Sequence, residues 1–325
     1  MPTSEATETE HHDLPGGGSD FRAEVIRGLT SDPKWLPTRF LYDSRGRELY
    51  DMMRRQPDYY LHDAEDEIYG YFGGEIAKSL GSGAVLVQWG PASEASVFAL
   101  LDNMEEPAGY VGVGPSREVM QPLVDAVAER YPALRPVCIS SDDVVLGELP
   151  ESVKSISESR VVFCPGGVIG DCEAEDGTTL LKSFQSVVGP GGKILVGVDL
   201  EKPREAVLAA YQDKSQIIDR FHLNLLQRAN REVGTNFDLM KFRFESRFDQ
   251  DRGCIEMFVV SMASQTVKLD DQTIQLANNE RIRTQVSYKY SQERFQALAH
   301  EAGASATQLW MDSERRVSTY LLETS

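Results

Sequence analysis

Ala84-Val85-Leu86-Val87-Gln88-Trp89-Gly90-Pro91-Ala92-Ser93-Glu94-Ala95 decides the fold. An apolar run enters a glycine turn and then a helix-compatible segment, the strand–loop–helix opening of a nucleotide-binding α/β unit. Such a loop ordinarily carries several glycines, which let the backbone approach a ligand and the helix pack closely on the strand. Here Gly90 is followed by Pro91, which has no N–H to offer and stiffens the turn. The stretch predicts the fold while omitting most of the usual cofactor cradle.

Outward from it, strands and helices alternate. Strands are expected at Val85–Val87, Gly109–Val113, Arg135–Ile139, Arg160–Cys164 and Lys193–Val198, separated by helices at Ser93–Asn103, Pro115–Arg130 and Thr179–Val188. This spacing indicates a parallel sheet covered by helices on both faces. Ligands bind at the carboxyl ends of such strands, where Gly90, Gly114, Asp142, Gly167 and Asp199 fall. Pro203–Gln227 is expected to be one or two helices. Alternation from Phe242 to Val267 and from Glu280 to Tyr290 favours antiparallel strands.

The chain has 325 residues and a hydrophobic content of 41%, ordinary for a folded protein with a real core. Its net charge of -18 argues against nucleic acid and anionic membrane as partners, both of which are bound through Lys and Arg. No apolar run approaches the roughly 18 residues of a membrane span, and no signal peptide is visible, so a cytoplasmic location is expected. The acidic tail, residues 1–20, is expected to be disordered, and His11 and His12 within it to be solvated rather than metal-bound. Cys138, Cys164, Cys172 and Cys254 show no CxxC spacing, and no metal site is expected. Buried free thiols are the default for all four, with a nucleophilic Cys172 beside its glycine-rich loop as the alternative.

Several stretches together carry a resemblance. They are Phe40-Leu41-Tyr42-Asp43-Ser44-Arg45-Gly46, Pro57-Asp58-Tyr59-Tyr60, Pro165-Gly166-Gly167-Val168-Ile169-Gly170 and Gly197-Val198-Asp199-Leu200. Ala210-Tyr211-Gln212-Asp213, Asn224-Leu225-Leu226, Ile255-Glu256-Met257 and Ser287-Tyr288-Lys289-Tyr290 continue the series. In order and spacing they resemble the histidine-specific N-methyltransferases of ergothioneine biosynthesis, over residues 21–325. The resemblance implies an α/β, class I S-adenosylmethionine methyltransferase-like (Rossmann-like) sheet with a second, α+β substrate domain. Residues 21–61 plus 201–285 would form the substrate domain, and 62–200 plus 286–325 the methyltransferase-like domain. By family position Tyr42, Tyr59, Tyr211, Met257 and Ser287 would line the amino-acid pocket, with Gly167 and Gln285 contributing. A buried zwitterion needs both charges paired, which tyrosine hydroxyls and amides can do.

The departures shape the functional expectation. Where the family's cofactor loop reads acidic-Leu-Gly-Ser-Gly, this chain has Gln88-Trp89-Gly90-Pro91-Ala92. Where the family has a ribose-binding aspartate, it has Gly114. Of the implied cofactor positions Gly90, Gly114 and Asp142, only Asp142 keeps a polar side chain, at the adenine position. Asp171 replaces the family's asparagine, and Gln285 its imidazole-facing glutamate, which disfavours histidine as substrate. The expectation is therefore an enzyme without a cofactor that alkylates an amine intramolecularly, expelling an anion such as sulfate to close a strained ring. The chain also looks like the methyltransferase-like subunits of aziridine-forming enzymes in azinomycin- and ficellomycin-type pathways. That likeness implies a haloacid-dehalogenase-like partner subunit and an amino-acid-type substrate that a carrier protein could present. Asp171 is the candidate base, with Tyr211 as the second catalytic residue. Arg281, Arg283 and Lys289 are the candidate anion acceptors, with Arg45 and Arg47 as alternates. Two alternatives stand beside this: an S-adenosylmethionine-dependent N-methyltransferase on another amino acid, and a non-catalytic scaffold.

Overall fold

Every residue of Val85–Trp89 is buried, as in a parallel strand covered on both faces. The computed structural model describes residues 9–14, 21–141, 145, 147–212, 215–269 and 271–325. In chain order the elements begin with β1 (Glu10–Asp13), α1 (Phe21–Thr30), β2 (Lys34–Trp35), α2 (Ser44–Met53), α3 (Leu61–Leu80), β3 (Val85–Trp89) and α4 (Glu94–Leu101). They continue with β4 (Gly109–Gly114), α5 (Arg117–Arg130), β5 (Pro136–Ser140), α6 (Glu151–Lys154), β6 (Arg160–Cys164), α7 (Ala174–Val188) and β7 (Lys193–Asp199). Next come α8 (Arg204–Ala210), α9 (Ile217–Glu232), β8 (Phe242–Asp249), β9 (Cys254–Ser261), β10 (Gln265–Leu269) and β11 (Gln272–Leu276). The chain closes with β12 (Arg281–Tyr288), α10 (Gln292–Ala302), β13 (Ala304–Met311) and β14 (Val317–Thr324).

These elements divide into two units. The first takes β1, Leu61–Glu201 and Tyr290–Ser325; the second takes the segment ending at Tyr60 together with Lys202–Lys289. Ser287 and Lys289 thus fall in the second unit, past the boundary at 285 expected from the sequence. In the first unit the sheet order is β1-β5-β4-β3-β6-β7-β14-β13. The neighbours from β1 to β7 pair in parallel, while β14 runs antiparallel to both β7 and β13. The fold is the α/β, Rossmann-like sheet expected from the sequence. From β3 the chain winds outward through β4 and β5, then returns to lay β6 on the other side of β3. The loops after β3 and β6 therefore leave in opposite directions, opening the crevice where such sheets bind ligands.

The polar Gln88 in this apolar strand is paired at both amide atoms. Its amide donates to the Gly90 carbonyl at 2.7 Å and accepts from the Tyr110 hydroxyl at 2.6 Å. Part of the tail corrects the expectation of disorder, since Glu10–Asp13 adds a parallel strand to the exposed edge of β5. His12 there bonds to Glu10 at 2.7 Å and to Ser152 at 3.2 Å.

The second unit is a four-stranded sheet, β2-β12-β9-β8, with a β10–β11 hairpin. All eight residues of β9 are buried, and α9 packs across β8 and β9 on one face. Among the described residues, no helix is long and apolar enough to cross a membrane.

Candidate active site

The second unit owes its polar seat to one extra residue. Arg283 pairs with Phe258 and Gln285 with Met257, so Thr284 is inserted between consecutive partners. A one-residue bulge reverses which face the following side chains take. Arg281 and Arg283 consequently share the outer face with Phe258, whereas Gln285, Ser287 and Lys289 take the inner face with Met257 and Ile255. Arg281 pairs there with Glu245 at 2.6 Å and lies 5.9 Å from the Phe258 ring. Of the expected anion acceptors, Arg281 and Arg283 stand on one face of the sheet and Lys289 on the other, so the bulge separates the arginines from the lysine. The alternates are engaged along α2, Arg45 with Glu48 and Arg47 with Asp51.

On the inner face Lys289 is 1% exposed. Its Nζ donates to Ser287 Oγ at 2.9 Å and to Tyr211 Oη at 3.0 Å, and Tyr211 Oη donates to Ser287 Oγ at 3.3 Å. The ammonium also lies 4.8 Å from the Tyr211 ring centroid, close enough for the ring face to stabilise it. Tyr59 meets Tyr211 edge-on with centroids 6.2 Å apart. Tyr59, Tyr211 and the pair Ser287 and Lys289, from three distant stretches of sequence, thus form one cluster. Met257 lies across the ladder from Gln285 and is buried.

On the same face lies a chain of bonds with no signal in the sequence. Thr284 Oγ1 donates to the Met257 carbonyl at 3.1 Å and lies 2.8 Å from His222 Nδ1. Because the hydroxyl proton goes to Met257, His222 must donate from Nδ1. The imidazole stacks on Phe244 with centroids 4.7 Å apart, and burial lowers its pKa to about 3. It is therefore neutral and structural, holding the bulge. Thr284→Val keeps the shape and strands a buried N–H, so it should lower the unfolding free energy by about 1–3 kcal/mol in urea titrations.

Tyr42 belongs to a neighbouring aromatic group, 5.4 Å from both Tyr50 and Phe221. The motif around it is a bracket. Asp43 caps α2 through Gly46 N at 2.8 Å and accepts from Asn224 at 2.7 Å and Arg231 at 2.7 Å. Burial opposes ionisation of Asp43, but these donors outweigh it and hold the pKa below the usual value. A Cβ on Gly46 would lie 1.7 Å from the Leu41 carbonyl oxygen, so only glycine fits there.

In the first unit, Gly90 adopts φ +81° at the end of β3. An ideal Cβ on Gly114, at the end of β4, would lie 2.6 Å from Met120 Cγ and Sδ, so that side chain fills the space of an acidic residue. Gly166 and Gly167, after β6, are both left-handed, with φ +73° and +67°. Asp171 ends the short 3-10 turn Val168–Asp171 and does not cap α7, whose N-cap position is Glu173. Asp142 lies outside the described residues. Burial pushes the Cys172 thiol up to about 12, which removes the nucleophile reading. Among the described residues, no group of His, Cys, Asp and Glu is arranged to hold a metal.

The sequence profile described as "Histidine-specific methyltransferase, SAM-dependent" matches residues 21–324. The "Histidine N-alpha-methyltransferase" of Mycolicibacterium smegmatis is 29% identical over 298 residues, 90% of this chain and 91% of its own. Two fungal relatives are "N-methyltransferase imqF" of Aspergillus flavus, 24% identical over 91% of this chain and 82% of its own, and "N-methyltransferase benX" of Aspergillus terreus, 25% identical over 94% and 89%. The profile corrects the expectation of a reaction without a cofactor, since it describes S-adenosylmethionine-dependent proteins. The first unit fits that donor by shape. Gly90 leaves the end of β3 without a side chain, where a Cβ would meet only Val168 Cγ2 at 3.1 Å, whereas Met120 occupies the corresponding space at Gly114 on the adjacent β4. At Gly114 the unit has no side chain to supply a ribose-binding carboxylate.

Proposed function

The chain belongs to the histidine-specific, S-adenosylmethionine-dependent methyltransferase family, and from that premise we propose that it methylates the amine of an amino acid other than histidine. Gln285 carries this reading: on the inner face beside Met257 and Ser287, a neutral amide stands where the family's glutamate would face an imidazole. An amide carries no charge to pair with an imidazolium and favours a polar, uncharged side chain. The fungal relatives are named as N-methyltransferases, which agrees with transfer to an amine.

When bound, S-adenosylmethionine supplies an electrophilic methyl group to a neutral amine. Gly90 would receive it by backbone shape, beside the end of β4. Lys289, with Tyr211 and Ser287, takes the substrate carboxylate, since a buried ammonium among hydroxyls suits a carboxylate. Asp171 accepts the proton that the substrate ammonium must lose. Cofactor-independent ring closure is not retained, because the two arginines meant for its leaving anion stand on the other face of the sheet.

The test is incubation with S-adenosylmethionine and a panel of amino acids, reading N-methylated products by mass spectrometry. Methylation of a non-histidine amino acid is expected, with Tyr211→Phe lowering kcat/KM about 10-fold for loss of one hydrogen bond to the seat. Transfer to histidine alone would overturn the proposed specificity. An unchanged Tyr211→Phe would overturn the seat.

A further inference from the structure

We propose that Glu65 and Asp66, consecutive on α3, are positioning residues that clamp the two loops of the methyl-donor crevice. The proposal rests on assigning that crevice to S-adenosylmethionine. Glu65 is 3% exposed, and its Oε1 accepts the Gly166 N–H at 2.7 Å, in the left-handed turn after β6. That oxygen occupies the space of a Cβ on Gly197, 2.5 Å away, so the glycine in β7 makes room for the carboxyl. Asp66 Oδ1 accepts from Ser93 Oγ at 2.5 Å, and Ser93 Oγ in turn caps α4 through Ser96 N at 3.0 Å.

The two anchored loops are those that diverge at β3 and β6, where the strand order reverses. They also meet each other: Cβ atoms on Gly90 and Gly166 would lie 3.1 Å from Val168 Cγ2 and 3.4 Å from the Pro91 carbonyl. One rigid helix therefore sets the width of the crevice through two adjacent side chains. With Pro91 unable to donate and no carboxylate at Gly114, loop placement carries more of the burden of binding. Preorganisation raises affinity by removing the cost of ordering the loops on binding.

The clamp is tested on the full chain by hydrogen exchange of segments 88–97 and 164–170 without ligand, and by calorimetric titration with S-adenosylhomocysteine. Glu65→Ala should speed exchange of 164–170 about 10-fold and weaken binding by a similar factor, whereas Glu65→Gln, which still accepts from Gly166, should restore both. Asp66→Ala leaves Ser93 able to cap α4, and should loosen 88–97 while weakening binding about 3- to 10-fold, by loss of about one hydrogen bond. The clamp is overturned if the alanine variants exchange and bind as the wild type, or if Glu65→Gln behaves as Glu65→Ala. Should the wild type not bind S-adenosylhomocysteine while Glu65→Ala still loosens 164–170, the donor assignment falls and the loop clamp stands.

Discussion

Gly114→Asp combined with Met120→Ala will tighten S-adenosylmethionine binding by one to two orders of magnitude. The end of β4 lies beside β3, where the family keeps the carboxylate that holds the ribose hydroxyls. Gly114 is not among the left-handed glycines, so an aspartate can adopt its backbone without strain. What stands in the way is Met120, whose Cγ and Sδ lie 2.6 Å from the ideal Cβ; alanine on α5 clears that space. Two charge-assisted bonds to a diol contribute about 1.5–3 kcal/mol each before the carboxylate's desolvation is subtracted. A net gain of about 1.4–2.8 kcal/mol is roughly 10- to 100-fold. Met120 is 1% exposed, so the double variant should also unfold at lower urea, by about 2–4 kcal/mol. Calorimetry separates the two effects, because affinity is read below the transition. Unchanged or weaker binding in a folded double variant would place the ribose away from Gly114.

The sheet was legible because a parallel strand buried on both faces reads as an apolar run, and Val85–Trp89, Arg160–Cys164 and Lys193–Asp199 are such runs between turns. The seat was legible only by residue type. Tyr59, Tyr211, Ser287 and Lys289 could be named, but the grouping depends on β12, where the alternation Arg281, Arg283, Gln285 suggests one face throughout. The inserted Thr284 breaks that alternation, and a bulge leaves no mark in the side-chain pattern. The arginines were misplaced for that reason. Gln88 stands where the family resemblance places a carboxylate, and its partner Tyr110 has no mark in the sequence because hydrogen bonds between strands cannot be read along one strand. Glu65 had a visible signal. It falls on the stripe Leu61, Ala64, Ile68 and Tyr69, all buried, and an acid on an apolar stripe is an anomaly that asks for a partner. The expectation of no cofactor rests on the side chains absent at Gly90 and Gly114, whereas the family match over residues 21–324 points to S-adenosylmethionine, and side chains alone do not decide whether a backbone cradle binds.

Glu65→Gln should stabilise the protein, and the gain should appear only as the pH rises. Burial raises the Glu65 pKa from 4.5 to about 8, with the negative charge of Asp66 adding to the effect and the Gly166 N–H opposing it. Tyr69 and Cys164, which face it, are themselves held neutral by burial. In the unfolded chain Glu65 ionises near its ordinary value, so above pH 4.5 folding must take up a proton or bury a charge. A raised carboxyl pKa therefore contributes stability that is fully present below about 4.5 and is lost as the pH rises through about 8. Each pH unit between those two values costs about 1.4 kcal/mol, so the loss across this window is on the order of 4–5 kcal/mol. Glutamine mimics the protonated acid, still accepts from Gly166 and does not titrate. Urea unfolding of both proteins at about pH 5, 7 and 9 should give nearly equal stabilities at the lowest pH. The variant should lead by about 3 kcal/mol near pH 7, and by the full difference near pH 9. Other titrating groups cancel between the two proteins. A difference that stays flat with pH would mean that Glu65 is ionised in the folded protein, and that its bond to Gly166 is a charged one.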